Sequence, residues 1–280
     1  MDDHTYASRM FSPRFAFINA WTDQDTVKFI YNRSLRHSTE RFMRRQYLNT
    51  GGEGNVETLD NFEFRYERKQ SENLGLVVST YYNKMDAVSF TFDTDVSELL
   101  GELQFAGIEL ELQYETERSK LSLSHNFTKH LNFDLSNEKV ARQNITASAY
   151  GIGNDLANWS NHVTKLVLER DLADSFIASA SLRYYWGYPG GQDLSNYNNL
   201  VLDRDVRLPV TDGSKKAWQE SVFLNLGVEH QLSDGSTIRL DAYNVLGWLD
   251  EDLNKRNDFQ RSAQYRIEAP ALAFTFKHKF

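Results

Sequence analysis

The chain has 280 residues, with 31 Lys and Arg against 39 Asp and Glu, a formal charge of -8 and a polar mean hydropathy of -0.57. An acidic balance argues against nucleic acid as a partner, because phosphate binding needs a basic face. No run approaches the roughly 18 consecutive apolar residues of a membrane helix, and the absence of Cys excludes disulfide staples, thiolate metal sites and Cys nucleophiles.

In chain order the residues fall into pairs of alternating apolar runs, each pair joined by a short polar turn. The amino terminus, Met1-Asp2-Asp3-His4, has no basic start, apolar core or small-residue cleavage site, so no secretory signal is visible. The first pair is Arg14 to Trp21 and Thr26 to Asn32, with Phe15, Phe17 and Trp21 on one side and Val27, Phe29 and Tyr31 on its partner. A polar loop is expected from Ser34 to Thr58, with a glycine-rich centre at Gly51, Gly52 and Gly54.

The second pair is Leu59 to Glu67 and Leu74 to Phe92. Phe62, Phe64 and Tyr66 alternate there with Asn61, Glu63, Arg65 and Glu67, so one face is aromatic and the other charged. The third pair, Phe105 to Glu115 and Lys120 to Phe127, sets Ile108, Leu110, Leu112 and Tyr114 against Glu109, Glu111, Gln113 and Glu115. A loop over Thr128 to Ser160 leads to His162 to Glu169 and Ser175 to Trp186. A second, over Gly187 to Ala217, leads to Glu220 to Gln231 and Thr237 to Val245, which turn at Ser233-Asp234-Gly235-Ser236. A third, over Leu246 to Ala269, reaches the last run, ALAFTFKHKF, where Leu272, Phe274, Phe276 and Phe280 share one face. Val, Ile, Tyr and Phe at period two outnumber helical matches, so about eleven strands and no helical domain are expected. Short turns alternating with long loops, on strands with one oily and one wet face, point to an all-β antiparallel transmembrane barrel.

Little suggests an enzyme. The seven His show no metal-ligand spacing, His125 and His130 being five apart on a strand end and loop, and no nucleophile elbow, phosphate loop or dinucleotide fingerprint occurs. No catalytic residue, metal or cofactor is expected. Two clusters carry a binding expectation. Arg33, Arg36, His37, Arg41, Arg44 and Arg45 concentrate positive charge in the first long loop, where Arg could pair with a carboxylate or phosphate. Solvation of the loop, or contact with lipopolysaccharide phosphates, explains the same residues. Tyr184, Tyr185, Trp186, Tyr188 and Tyr197 could stack a ligand, but an aromatic girdle at a membrane surface uses the same residues at the same height and is the better reading.

FSPRFAFI at Phe11 to Ile18 followed by TDQDTVKFIYNRSLR at Thr22 to Arg36, ETLDNFEFRYER at Glu57 to Arg68, AGIELELQYE at Ala106 to Glu115 and TIRLDAYNVLG at Thr237 to Gly247 resemble, in order, successive strands of TonB-dependent outer-membrane receptors. The terminal strand, with Phe274, Phe276 and Phe280, is similar to the ending by which bacterial outer-membrane proteins are recognised by the barrel-assembly machinery. The resemblance implies a 22-stranded barrel of a Gram-negative outer membrane, filled by a plug and driven by the TonB energy transducer, that imports a scarce ligand such as a ferric siderophore. The chain, 1–280 as a single domain, would supply the carboxy-terminal half of that barrel without plug or first strands, as a piece of a longer precursor. Lumen-facing Arg65, Glu109, Glu111, Glu115, Arg239 and Asp241 would face the plug and be wetted or unpaired without it. The competing expectation is a small self-contained porin-like or adhesion barrel, closed as twelve strands if residues before Phe11 add one. A barrel enzyme would need a Ser/His pair at one rim.

Overall fold

A computed structural model describes residues 2–4, 7–37, 40–91, 96–135, 160–187, 191–192, 216–217, 220–233, 235–250, 253 and 269–279. Two short strands, β1 (Asp2–His4) and β2 (Ala7–Met10), pair only with each other. Then come β3 (Arg14–Ala20), β4 (Asp25–His37), helix α1 (Glu40–Thr50), β5 (Val56–Lys69), β6 (Leu74–Thr91), β7 (Val96–Glu115), β8 (Ser119–Leu135), β9 (His162–Ala173) and β10 (Phe176–Trp186). A two-residue ladder, β11 (Gly191–Gln192) with β12 (Lys216–Ala217), precedes β13 (Ser221–Ser233), β14 (Ser236–Tyr243), the short helix α2 (Val245–Leu249) and β15 (Ala271–His278).

Eleven strands form one sheet in the order β15-β14-β13-β10-β9-β8-β7-β6-β5-β4-β3, every pair antiparallel. It is a meander, so each strand lies beside its neighbour in sequence. β3 and β15 stand at its two edges, and β1 and β2 do not extend it, so the twelve-stranded closed form is not the one adopted.

The alternation becomes two chemically distinct faces. One carries Phe15, Phe17, Phe29, Phe62, Phe64, Val78, Ile108, Leu110, Leu123, Leu168, Leu226, Leu240, Leu272, Phe274 and Phe276, all exposed. Leu272, Phe274 and Phe276 keep 65, 67 and 57% of their surface open, and so continuous an uncovered apolar face is not one that water tolerates. The opposite face carries Lys28, Asn32, Asn61, Arg65, Ser79, Asn83, Glu111, Asn126, Ser181, Asn225 and Arg239, cross-linked by hydrogen bonds and ion pairs.

Register shows how the strands lie. The cross-strand row that starts at Asp25, at the foot of β4, passes through Arg68, Leu76, Leu112, Leu123, Leu166 and Leu182 and arrives at Leu224, near the top of β13. An apolar band of constant height can cross such a row only if the strands are inclined to it, as in a barrel. Where the row is at the foot of β4 it is charged, and within the band it is leucine.

Several boundaries differ from the sequence expectation. Residues 96–104, between the second and third expected pairs, belong to β7, which runs beside β6 beyond a register shift at Ala87/Val88. β8 reaches Leu135, past the strand end expected at Phe127, through another shift at Gln104/Phe105. These irregularities swap the faces and interrupt the period-two pattern, so the strands read as polar loop. The first long loop also contains α1. β13 and β14 pair across Ser233 and Ser236, where the hairpin was expected, and 223–231 is strand.

Candidate functional site

The basic loop is not a loose strap. Arg33 Nε and Nη2 donate to the two oxygens of Asp60 at 2.8 and 2.7 Å, and the Tyr31 hydroxyl donates to the same carboxylate at 2.8 Å. Arg36 Nε donates to Glu57 at 2.9 Å. Arg33 with Asp60 and Arg36 with Glu57 are direct cross-strand pairs of β4 and β5, so these two arginines are committed to strand pairing. His37 ends β4 opposite Val56 and is half-buried.

Arg41, Arg44 and Arg45 belong to α1. ERFMRRQYLNT holds no Gly, Pro or β-branched residue before its last position, and Glu40 sits where the helix dipole favours negative charge. Gly51, at a φ of 69°, ends it and donates to the Tyr47 carbonyl at 2.8 Å. Met43 and Gln46 face the sheet and are buried. Gln46 Oε1 accepts from the Ser97 backbone N–H at 2.8 Å and from its hydroxyl, while Gln46 Nε2 donates to the Glu53 carbonyl at 2.8 Å. Asn55 Nδ2 donates to the Ser97 carbonyl at 2.6 Å. One glutamine thus ties the helix to β7 and to the entry of β5. At 100° per residue, Arg41, Arg44, Arg45 and Leu48 fall on the side opposite Met43 and Gln46, and all four are exposed. The result is a basic face on a clamped helix.

Removing that clamp is a direct test. Gln46→Leu leaves the Ser97 N–H and the Glu53 carbonyl without this partner, at a cost of about 1–3 kcal/mol. The amides of 40–50 are expected to exchange with deuterium faster while those of β4 and β5 keep their protection; unchanged exchange would mean that Gln46 does not hold the helix.

The aromatic cluster divides. Tyr184 and Trp186 lie on the apolar face and Tyr185 on the polar one, because neighbours in a strand point opposite ways. Tyr185 meets Phe223 edge-on at 6.2 Å, and the Arg183 guanidinium stands 5.4 Å from the same ring. Tyr188 and Tyr197 lie outside the described residues. β4 and β10 are six strand spacings apart, about 29 Å along the sheet. Arg33 and Arg36 of β4 and the aromatic groups of β10 therefore stand at two places on the sheet, while Arg41, Arg44 and Arg45 lie on α1, which is held against β7 between them.

The polar face is bonded across its strands. Arg65 Nε donates to Glu67 at 2.7 Å and Arg65 Nη1 to Glu111 at 3.2 Å, and Lys28 also pairs with Glu67 at 2.6 Å. Asn32 Nδ2 donates to Asn61 Oδ1 at 3.0 Å and Asn61 Nδ2 to Asn83 Oδ1 at 2.8 Å, amide to amide across β4, β5 and β6. Two glycines let long side chains cross a whole strand. Tyr81 of β6 passes over Gly107 of β7 to Asn126 and Thr128 of β8, and Arg239 of β14 passes over Gly227 of β13 to Ser179 of β10. Arg65, Glu111, Arg239 and Asp241, expected to be wetted or unpaired in the absence of a plug, instead pair with residues of their own sheet. Arg65–Glu67 and Arg239–Asp241 are two apart on one face of a single strand, which alternation could have shown, whereas Glu111 and Glu229 come from other strands and leave no sign in the sequence.

His125 does not pair with His130 five residues on. It meets His162 of the next strand, with His162 Nδ1 at 3.3 Å from His125 Nε2. Among the described residues no group of three or more His, Cys, Asp or Glu could hold a metal ion. At the sheet edge Phe274 and Phe276 project outward from β15, and Phe280 lies outside the described residues.

No family model and no curated protein matches the sequence. Solved structures do share the fold. The ferric enterobactin receptor PfeA of Pseudomonas aeruginosa is 15% identical, with a TM-score of 0.58, over 87% of this chain and 36% of its own. The FrpB iron transporter of Neisseria meningitidis is 13% identical, with a TM-score of 0.59, over 84% of this chain and 33% of its own. FpvA of P. aeruginosa, solved with heterologous pyoverdines, is 10% identical, with a TM-score of 0.60, over 96% and 33%. The chain thus spans about a third of the length of the structures it matches. Its eleven-stranded antiparallel meander has the fold of part of the β-barrel wall of these outer-membrane proteins.

Proposed function

We propose that the chain forms the carboxy-terminal part of the barrel wall of a Gram-negative outer-membrane, TonB-dependent receptor that takes up a scarce ligand such as a ferric siderophore. The observation that carries this reading is the fold shared with PfeA, FrpB and FpvA over most of the chain. The exposed apolar face and inclined strands support a place in a bilayer, with lipid and lipopolysaccharide as neighbours. β15, with its outward Phe274 and Phe276, is the strand offered to the assembly machinery. The energy transducer acts through the whole receptor, and no step of the work is catalytic. A self-contained porin-like barrel is disfavoured by an eleven-stranded sheet with two edges, since unpaired backbone in lipid costs several kcal/mol per group.

Ligand enters from the long-loop side, where the basic face of α1 stands. Arg41, Arg44 and Arg45 would hold an anionic chelate by charge-assisted hydrogen bonds, with Arg36 and His37 at the margin of that surface. Tyr185 and Trp186 serve less directly, Tyr185 toward the lumen and Trp186 in the girdle. In cells making the full gene product, replacing all three helix arginines with Ala is expected to lower uptake of radiolabelled iron from an anionic tris-catecholate chelate about tenfold or more. Uptake from a neutral hydroxamate chelate should hold. Equal uptake of both by the triple variant would remove α1 from ligand binding, and no uptake of any ferric chelate by the parent would sink the receptor reading itself.

A further inference from the structure

His125 and His162 are separated by a long connection in the chain, yet their rings meet on the outer, apolar face of the sheet, on β8 and at the first residue of β9. The facing nitrogens, His125 Nε2 and His162 Nδ1, are 3.3 Å apart. That is long for a hydrogen bond, whose usual range ends near about 3.2 Å. It equals the spacing of two imidazole nitrogens each about 2.0–2.1 Å from one tetrahedral metal ion, which is about 3.3 Å.

Both rings are held from outside the pair. His125 Nδ1 lies 2.9 Å from Thr164 Oγ1, and Trp186 Nε1 donates to that same oxygen at 3.4 Å. A second partner on the far nitrogen is what orients a metal-binding imidazole. His162 stacks on the Trp186 indole with centroids 3.8 Å apart and planes within 7°, and Phe127 stands 4.7 Å away. Gly187, at a φ of 71°, passes so near that a Cβ there would lie 2.7 Å from His162 Cδ2. A ring held by an indole, a phenyl and a backbone keeps its Nδ1 aimed at His125. The pair stands beside Tyr184 and Trp186 at the long-loop end, the aromatic level where a bilayer surface meets water, so an ion can reach it.

We propose that His125 and His162 form a two-histidine site for a borderline divalent transition-metal ion, Zn2+ or Cu2+, with water completing the coordination. The ion replaces whatever proton the two nitrogens share and staples β8 to β9 where the chain leaves the sheet. It stands outside the lumen and is independent of the uptake reading.

The test titrates the full chain in detergent with zinc chloride by calorimetry and records the electron paramagnetic resonance of added Cu2+. One Zn2+ per chain is expected, with a Cu2+ spectrum showing two equivalent nitrogen ligands. His125→Gln and His162→Gln should each abolish that binding, Thr164→Val should weaken it about tenfold, and His130→Gln should leave it unchanged. Copper spectra of the parent chain need no variant and so stand even if a substitution impairs folding. A parent spectrum without coupled nitrogens, or zinc binding that survives the His125→Gln, His162→Gln double variant, would overturn the site.

Discussion

Replacing Arg65 with Met is expected to lower the unfolding free energy of the chain in detergent by about 3 kcal/mol. Among the described residues, Arg65 is the cation that reaches both Glu67 and Glu111, bridging β5 to β7 across β6, and it also donates to Ser79 on the way. Its side chain is 24% exposed and that of Glu111 23%, so the pair is neither a solvated surface bridge nor a fully dry one. The lower end of the cost of breaking a buried pair therefore applies. Lys28 still neutralises Glu67 in the variant, but Glu111 loses its guanidinium. A second substitution, Glu111→Leu, is expected to restore part of the loss, because the penalty comes from the stranded carboxylate and not from the missing bond. Urea unfolding followed by tryptophan fluorescence reads both. If Arg65→Met and the double variant unfold at the same midpoint as the parent, the polar lattice contributes nothing to the sheet.

Gly107→Val should cost a similar amount, about 3 kcal/mol, by a different route. Any Cβ at residue 107 would lie 2.5 Å from the Phe127 carbonyl oxygen and closer still to the Tyr81 ring. The tyrosine can swing away, at the cost of its bonds to Asn126 and Thr128, but the backbone of β8 cannot without breaking the ladder. Tyr81→Ala in the Gly107→Val background is accordingly expected to recover only part of the loss, whereas Tyr81→Phe alone should cost about 1 kcal/mol for the hydroxyl. Full recovery would mean that the ring, and not the carbonyl, is what residue 107 must avoid.

Strand number, meander order and the two faces were legible because period two is a local signal and the turns that join paired strands are short and polar. What was lost depended on contacts between distant residues. Residues 96–104 fell between the expected pairs because the shift at Ala87/Val88 moves side chains to the other face, which erases alternation without ending the strand. α1 went unseen because only Met43 and Gln46 face the sheet, too few to make an apolar stripe. The basic cluster was visible as charge but not as two populations, since the carboxylates that engage Arg33 and Arg36 lie 27 and 21 residues away. The division of Tyr185 from Trp186 could have been drawn from alternation alone. His125 was set beside the wrong histidine because spacing along a strand says nothing about the neighbouring strand.

The eleven-stranded sheet has a consequence in its two edges. β3 and β15 both run from the long-loop end to the short-turn end, as the first and last members of an odd antiparallel series must. Anything that closes the cylinder with antiparallel seams must begin and end on strands of the opposite sense, and so must itself contribute an odd number of them. A second copy inserted the same way up offers edges of the wrong polarity, and would meet this one only in parallel. Strand direction alone thus sets which edges could meet this sheet in an antiparallel seam, before any side chain is considered.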